Sequence, residues 1–195
     1  ITEMNTQLTE RAKQLIPKAR IVSFKGWEEV LPTEIIQFFQ VADDEGRYLT
    51  QKDLNFLKSG SQLPIFSIDA ASFLGEYAAE IVDEAREKVL AAYPNITAEG
   101  GDLYPRVRAE ACWRDFWHFL RCITYGVAGN NTNFTSQEGL YNMNLLYQEL
   151  LVPLSAMVCG LEAIKTASLK RFNPEQQAEL VPYFDHLLIK LKEFS

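Results

Sequence analysis

Cysteine and histidine are scarce in this sequence, and their scarcity limits the chemistry it can perform. Its 195 residues include three cysteines and two histidines. Three is an odd number and we find no secretory signal peptide, so we predict free thiols in a reducing, cytoplasmic compartment. The sequence has no Ser/His/Asp arrangement, no phosphate-cradling glycine loop and no dense cluster of carboxylates or histidines. We therefore predict a binding protein, not an enzyme, without a metal site.

Long hydrophobic runs and a positive charge balance are also missing. No apolar run reaches the roughly 20 residues that a membrane-spanning helix needs, so we predict no membrane insertion. The formal net charge of −7 argues against nucleic acid or an anionic membrane as the main partner. Strand-like alternation and internal repeats are absent as well, and the length suits one sizeable core. These absences leave an all-α protein.

Apolar residues at helical spacing predict a series of helices along the chain. Thr50 is a suitable N-cap for one of them, and Asn173 followed by Pro174 marks the start of the last. Helices are expected over residues 48–58, 68–92, 139–149, 153–170 and 173–192.

Residues 1–40 are predicted to form an N-terminal helical extension, and residues 41–195 the main domain. Residues 1–3 precede Met4, and we interpret them as an expression scar. The second helical piece of the extension is unusually apolar, with Ile35, Ile36, Phe38 and Phe39. This surface is expected to pack either on the chain's own core or on a partner, and the sequence does not decide between the two.

The most distinctive stretch runs from residue 100 to residue 129 and reads as a turn followed by one long helix. Cys112, Asp115, His118 and Cys122 lie three or four residues apart, so they share one face of that helix. Ionisable groups are seldom buried without partners. A polar ligand with an apolar body, lying along the helix, would explain the pattern.

This stretch resembles the chromophore-binding region of phycobiliproteins, especially allophycocyanin alpha-type subunits. Further similarities cover roughly residues 40 to 195, in an order that is more specific than any single motif. The resemblance implies an all-α, globin-like phycobiliprotein fold for residues 41–195, preceded by the extension. It rests on these residues: Gly100-Gly101, Tyr104, Cys112-Trp113-Arg114-Asp115, Leu120-Arg121, Thr124-Tyr125-Gly126, residues 42–49 (ADDEGRYL), Tyr147 with Leu150 and Pro153, and residues 182–185 (PYFD).

The resemblance also implies a cofactor, a linear tetrapyrrole of the phycocyanobilin type. It makes Cys112 the thioether attachment site, Asp115 the acceptor of the pyrrole N–H groups, and Arg114 the partner of a propionate. These roles suit the chemistry, because a cationic bilin needs a nearby anion and a propionate suits a guanidinium fork. Arg108 is a candidate for the second propionate or a surface charge.

Four other residues complete the predicted binding site. Tyr104, Trp113 and Tyr125 are expected to supply rigid aromatic walls. His118 has three interpretations: a hydrogen-bond donor to the pigment, an axial haem ligand, or a satisfied interface histidine. His118 with Cys122 also has the spacing of a ligand pair, but two ligands are weak evidence for zinc. Cys122 and Cys159 are most simply core residues.

The resemblance implies a subunit interface as well. In the family, the residues that match Asp43 and Arg121 form ion pairs between subunits, and Arg47 lies in the similar segment 42–49. We therefore expect these three residues at an interface with a related phycobiliprotein subunit or in a homodimer. The alternative is a set of local surface salt bridges of little energetic weight.

Two functions from different classes follow. The first is light harvesting and excitation transfer in the phycobilisome of a cyanobacterium or plastid, with a linker protein as a further partner, on the cytoplasmic side of the thylakoid. The second is a non-antenna bilin-binding globin, a carrier or regulator in tetrapyrrole metabolism or phycobilisome turnover, which binds a tetrapyrrole-pathway protein. The intact Cys-x-Arg-Asp segment and the pair Asp43 and Arg121 favour the first. The N-terminal extension and the environment formed by Trp113, His118 and Phe119, which departs from the family pattern, favour the second. A bilin lyase or isomerase has only a reactive thiol in its favour.

Overall fold

The computed structural model describes residues 8–195, and over these residues the chain is helical. Residues 1–3, interpreted above as an expression scar, lie outside the described residues. Two short 3-10 turns, Ile16–Lys18 and Lys25–Glu29, separate the first two helices. The α-helices are α1 (Glu10–Leu15), α2 (Thr33–Asp44), α3 (Gln51–Gly60), α4 (Ile65–Glu76), α5 (Ala78–Ala92), α6 (Arg106–Ala128), α7 (Gln137–Glu149), α8 (Leu154–Leu169) and α9 (Pro174–Lys192). The predicted all-α fold is confirmed.

Helix α6 is the centre of the molecule. It packs against α4, α5, α8 and α9. Every residue from 119 to 129 is buried, so the second half of this helix is enclosed on all sides. Polar groups on this half must therefore bond inside the protein, and the hydroxyl of Thr124 donates to the carbonyl of Arg121 at 2.6 Å.

The predicted helix starts at Thr50 and Asn173 are confirmed. Thr50 accepts from the backbone N–H of Asp53, whose carboxylate accepts from the N–H of Thr50 in return. Asn173 and Gln176 make the same reciprocal pair at the start of α9. Each pair satisfies two backbone N–H groups that a helix start otherwise leaves without partners.

The prediction of a single helix over residues 68–92 was wrong. The chain leaves helical geometry at Tyr77 (φ −99°, ψ 13°), which separates α4 from α5. The two segments bury their apolar faces against different main neighbours, since α4 packs mainly on α6 while α5 packs mainly on α8 and less on α6. The helical spacing of apolar residues continues across the break because the ring of Tyr77 packs on that of Phe73, with centroids 4.6 Å apart.

The extension packs on the chain's own core. Trp27 is fully buried, and its indole N–H donates to the carbonyl of Asn133 at 2.7 Å. The ring of Phe24 contacts that of Trp27, with centroids 4.8 Å apart. An isolated bridge pairs Val22 with Thr135, and the N–H of Ser136 donates to the carbonyl of Ile21 at 2.7 Å. Residues 21–27 therefore belong to the same core as α6.

Within residues 8–195, no helix is both long enough and apolar enough to cross a bilayer.

Candidate functional site

A cavity of about 240 Å³ lies between α6, α7 and the N-terminal segment. Its wall on α6 is polar and carries Arg114, Asp115, His118 and Arg121. The opposite walls are mostly apolar. They are formed by Ile16, Ala19, Arg20, Ile21, Asp43, Met143, Leu146 and Tyr147, while Phe119 adds an apolar side chain from α6. The cavity thus joins three of the predicted cofactor-binding residues, Arg114, Asp115 and His118, to an apolar enclosure.

Asp115 is a half-buried carboxyl group in the wall of this cavity, which Asp43 also lines. Burial raises the pKa of its carboxyl, while a hydrogen bond and the charge of Arg114 act in the opposite direction. The hydrogen bond comes from the hydroxyl of Tyr147 on α7, which donates to Oδ2 at 2.9 Å. Such a carboxyl is stabilised in its ionised form by a cation that enters the cavity.

His118 is held as a neutral ring in one tautomer. Its Nδ1 accepts a hydrogen bond from Nε of Arg121 at 2.9 Å, and since a guanidinium N–H only donates, the ring proton must be on Nε2. Burial and the positive charge of Arg121 lower the pKa of His118 to about 4. At neutral pH His118 therefore offers the cavity a hydrogen-bond donor without a charge.

Arg121 joins α6 to the end of α2. One of its terminal nitrogens donates to Oδ1 of Asp43 at 2.9 Å and to the hydroxyl of Tyr125 at 2.8 Å. Arg20 approaches the other oxygen of Asp43 at 2.5 Å and also contacts Asp44 at 2.9 Å. Asp43 and Arg121 are both buried. The structure therefore pairs Asp43 with Arg121 inside one chain, and their predicted role between subunits stays a prediction.

Arg47, the third residue predicted at an interface, also makes contacts within the chain. Its side chain bonds to Asp53 at 2.8 Å and to Glu45 at 2.5 Å, and its carbonyl accepts from the hydroxyl of Tyr125.

Cys112 lies in the core and does not line the cavity. It is only 2% exposed, and its Sγ is 3.1 Å from the sulfur of Met157 on α8. Burial, reinforced by the charge of Asp115, raises the pKa of the thiol well above its usual range. A thiol in this position is a poor nucleophile until its side chain turns toward solvent or a base.

The structure places the other predicted cofactor residues away from the cavity wall. Tyr104 is exposed on the loop before α6, and half-buried Trp113 rests against Phe116 with centroids 5.6 Å apart. Tyr125 is fully buried. Arg108 donates to the carbonyls of Asp102, Leu150 and Leu151, each at 3.0 Å, and so joins the loop before α6 to the end of α7.

Sequence reasoning missed two parts of the cavity. Tyr147 was part of the resemblance but received no role, although a tyrosine at a matching position was a usable signal. Arg20 and the apolar residues around it carried no signal, because the return of the N-terminal segment onto α6 depends on tertiary contacts.

Metal chemistry finds no support in the same region. Across residues 8–195 there is no group of three or more His, Cys, Asp or Glu side chains that could hold a metal ion. Cys122, the suggested partner of His118, is fully buried.

Fold and site together define an all-helical binding protein with a charged, half-apolar cavity along its central helix. Comparison with known proteins agrees with this class. A family model described as "Phycobilisome protein" matches residues 37–191. The chain belongs to the phycobilisome protein family.

Curated relatives lie at about one-third identity. The chain is similar to allophycocyanin subunit alpha-B of Synechocystis sp., with 33% identity over 158 residues, 79% of this chain and 96% of that protein. It is 32% identical to the corresponding subunit of Nostoc sp. over 156 residues, 80% and 97% of the two chains. An allophycocyanin beta chain of Synechococcus sp. is also 32% identical, over 153 residues, 78% and 94% of the two chains.

Proposed function

We propose that this protein is a light-harvesting phycobiliprotein that holds a bilin of the phycocyanobilin type along α6, bound through a thioether to Cys112. The relatives named above are allophycocyanin subunits, and this supports an antenna role over that of a carrier. When bound, the bilin supplies absorption of visible light and the excited state that is passed on.

The observation that carries the proposal is the half-buried carboxyl group of Asp115 in a cavity whose other walls are mostly apolar. Burial raises the pKa of this carboxyl, and a cationic conjugated ligand with N–H donors would stabilise its ionised form. Tyr147 orients the carboxylate through its hydrogen bond. The donor set therefore fits a bilin.

The neighbouring side chains have complementary tasks. Arg114 lies in the wall beside Asp115 and suits a propionate, because its guanidinium can donate two parallel hydrogen bonds. His118, fixed as the Nε2–H tautomer by Arg121, suits a carbonyl oxygen. Phe119, Leu146 and Met143 supply apolar walls that limit ring rotation and exclude water.

Cys112 is one helical turn before Asp115, so a bond to its sulfur would fix one end of the ligand beside the carboxylate. Attachment requires the thiol to leave Met157 and add across an exocyclic carbon–carbon double bond of the bilin. The sulfur would bond to one carbon, the thiol proton would pass to the bilin through its own propionate, and no group would leave. Partners of the loaded protein would be a related phycobiliprotein subunit and a linker protein, on the cytoplasmic side of the thylakoid.

Production of the protein in cells that also make phycocyanobilin tests the proposal. The purified protein is denatured and assayed on a gel for zinc-enhanced bilin fluorescence beside Cys112→Ala, with Cys159→Ala as the matched control. Colour that survives denaturation, disappears in Cys112→Ala and persists in Cys159→Ala is the expected result, together with strong native emission. Colour that is lost on denaturation, with weak emission, would favour the carrier function, and the absence of bilin from every sample would contradict both.

A further inference from the structure

The N-terminal segment closes the proposed bilin cavity. Ile16, Ala19, Arg20 and Ile21 form the wall that faces Arg114, Asp115 and His118. The cavity that this wall borders has a volume of about 240 Å³. Pockets for drug-sized ligands usually have roughly 300–1,000 Å³, and a linear tetrapyrrole is larger than most of those ligands. If the proposed function is right, the part of this wall that can move, Ile16 with the residues before it, must be displaced before the pigment enters.

The segment is firmly held only from Arg20 onward. The N–H of Ser136 donates to the carbonyl of Ile21 at 2.7 Å, and the N–H of Ser23 donates to the carbonyl of Phe134 at 3.1 Å. Gly139 lies directly under Arg20, since a Cβ built on this glycine would be 1.7 Å from the carbonyl oxygen of Arg20. Residues 20–23 are therefore a fixed point on the loop before α7.

The part before this fixed point packs on α7 through α1 and the turn Ile16–Lys18, and no backbone hydrogen bond joins it to another described segment. Helix α1 has six residues, too few to be stable without tertiary contacts. It packs on α7, and among its residues only Ala12 and Leu15 are buried. Its polar contacts with α7, from the hydroxyl of Thr9 to Glu149 at 2.9 Å and from Arg11 to Glu149 at 3.8 Å, lie at the surface and contribute little.

The geometry between the two parts is that of a hinge. Ala19 has φ −82° and ψ 63°, outside the helical region, at the end of the 3-10 turn. Rotation there would carry residues 8–18 away from α7 without breaking the bonds of Ile21 and Ser23. It would also leave the ion pairs of Asp43 intact, because Arg20 and Arg121 lie on the fixed side.

We propose that residues 8–18 form a lid that opens about Ala19 to admit the bilin and that limits the rate of its attachment. The closed lid keeps the apolar wall of the empty site out of water. The open lid removes Ile16 from the cavity wall and, because α1 packs on α7, extends the cavity along α7. The inference depends on the proposed function, but opening of the lid can be measured without any pigment.

Leu15 is the residue to change, because it is the one large side chain that α1 buries. Leu15→Ala and Leu15→Asp weaken the docking of the lid to two degrees, and Gln14→Ala, at an exposed position on the same helix, is the matched control. The first readout is hydrogen exchange of the amides of residues 8–18 in the pigment-free protein. The second is the rate at which added phycocyanobilin becomes resistant to denaturation.

Hydrogen exchange in the lid and the rate of phycocyanobilin attachment should rise together, since the attachment rate follows the fraction of molecules in which the lid is open. We expect an increase of roughly tenfold in Leu15→Ala and more in Leu15→Asp, with Gln14→Ala at the wild-type value. The pigment-loaded wild type should exchange faster than the pigment-free protein at residues 8–18. Retained helical signal in Leu15→Ala shows that the comparison is between folded proteins.

Three results would overturn the lid. The first is an unchanged attachment rate despite faster exchange, and the second is a lid equally protected with and without pigment. In both cases attachment itself would stand, so the proposed function survives. The third, no attachment to any variant, would overturn the lid and the proposed function together.

Discussion

Asp115 is the side chain on which the colour of a bound bilin should depend most. Its carboxyl group lines the cavity, and Asn has the same shape without the charge. We predict that Asp115→Asn carries the pigment with a weaker absorption band at shorter wavelength, because the cationic form and its extended geometry lose their counter-ion. Absorbance spectra of the purified variants measure the effect. Asp69→Asn, at an exposed position on α4, is the control, and an unchanged spectrum for Asp115→Asn would contradict the assigned role.

His118 should make the stability of the protein depend on acid pH. Its pKa of about 4 in the folded state is below the value of about 6.5 for an unperturbed histidine. The unfolded chain therefore binds the proton more tightly, so the contribution of neutral His118 is present above pH 6.5 and is lost as the pH falls toward 4. After screening at this partly exposed side chain, we expect a loss of about 1–2 kcal/mol.

The test compares the free energy of unfolding of the wild type with that of His118→Asn from pH 7 to pH 4.5. Asn keeps an acceptor for Arg121 and does not titrate. The comparison cancels the opposite effect of Asp115, whose raised pKa favours the folded state at low pH. The wild type should lose more stability than the variant, and parallel curves would show that His118 is not held neutral.

Among the structural elements, the turn Lys25–Glu29 carries Trp27, the side chain that docks the extension on the core. Trp27→Ala removes a fully buried indole and its bond to Asn133, so we predict a loss of about 3–5 kcal/mol. Trp27→Phe keeps most of the apolar contact and should cost about 1–2 kcal/mol through the lost hydrogen bond. Urea unfolding measures both. A cost below about 0.5 kcal/mol for Trp27→Ala would mean that the extension is not docked on the core.

Local sequence signals predicted helix starts well and helix partners poorly. The cap residues Thr50 and Asn173 act within one turn of the backbone, so sequence alone identifies them. The break at Tyr77 escaped prediction, since it depends on α4 and α5 finding different neighbours. The same limit applies to the site: Asp115 and His118 share a helix face, whereas Arg20 reaches the cavity only through the folded extension.

In the assembled protein, the pair Asp43–Arg121 should stabilise each chain by itself. Removing one member of a buried ion pair typically costs about 3–5 kcal/mol, and because Arg20 still contacts Asp43 we predict the lower end for Arg121→Gln. This loss should not depend on protein concentration, since both partners are in one chain.

Unfolding of Arg121→Gln at several protein concentrations checks the prediction. Arg106→Gln, at an exposed position in the first turn of α6, is the matched control and should stay within about 0.5 kcal/mol of the wild type. A difference from wild type that grows or shrinks with concentration would place the energetic role of Arg121 between subunits. That result would favour the interface predicted from the sequence.

Mapping of the pigment onto one cysteine tests the central claim most directly. Trypsin cleaves after Arg108, Arg114, Arg121 and Lys165, so Cys112 is released in the short peptide of residues 109–114, while Cys122 and Cys159 stay together in residues 122–165. Mass spectrometry of protein produced with phycocyanobilin should find the added mass of the bilin on the peptide 109–114. The added mass on residues 122–165, or on no peptide, would contradict attachment at Cys112.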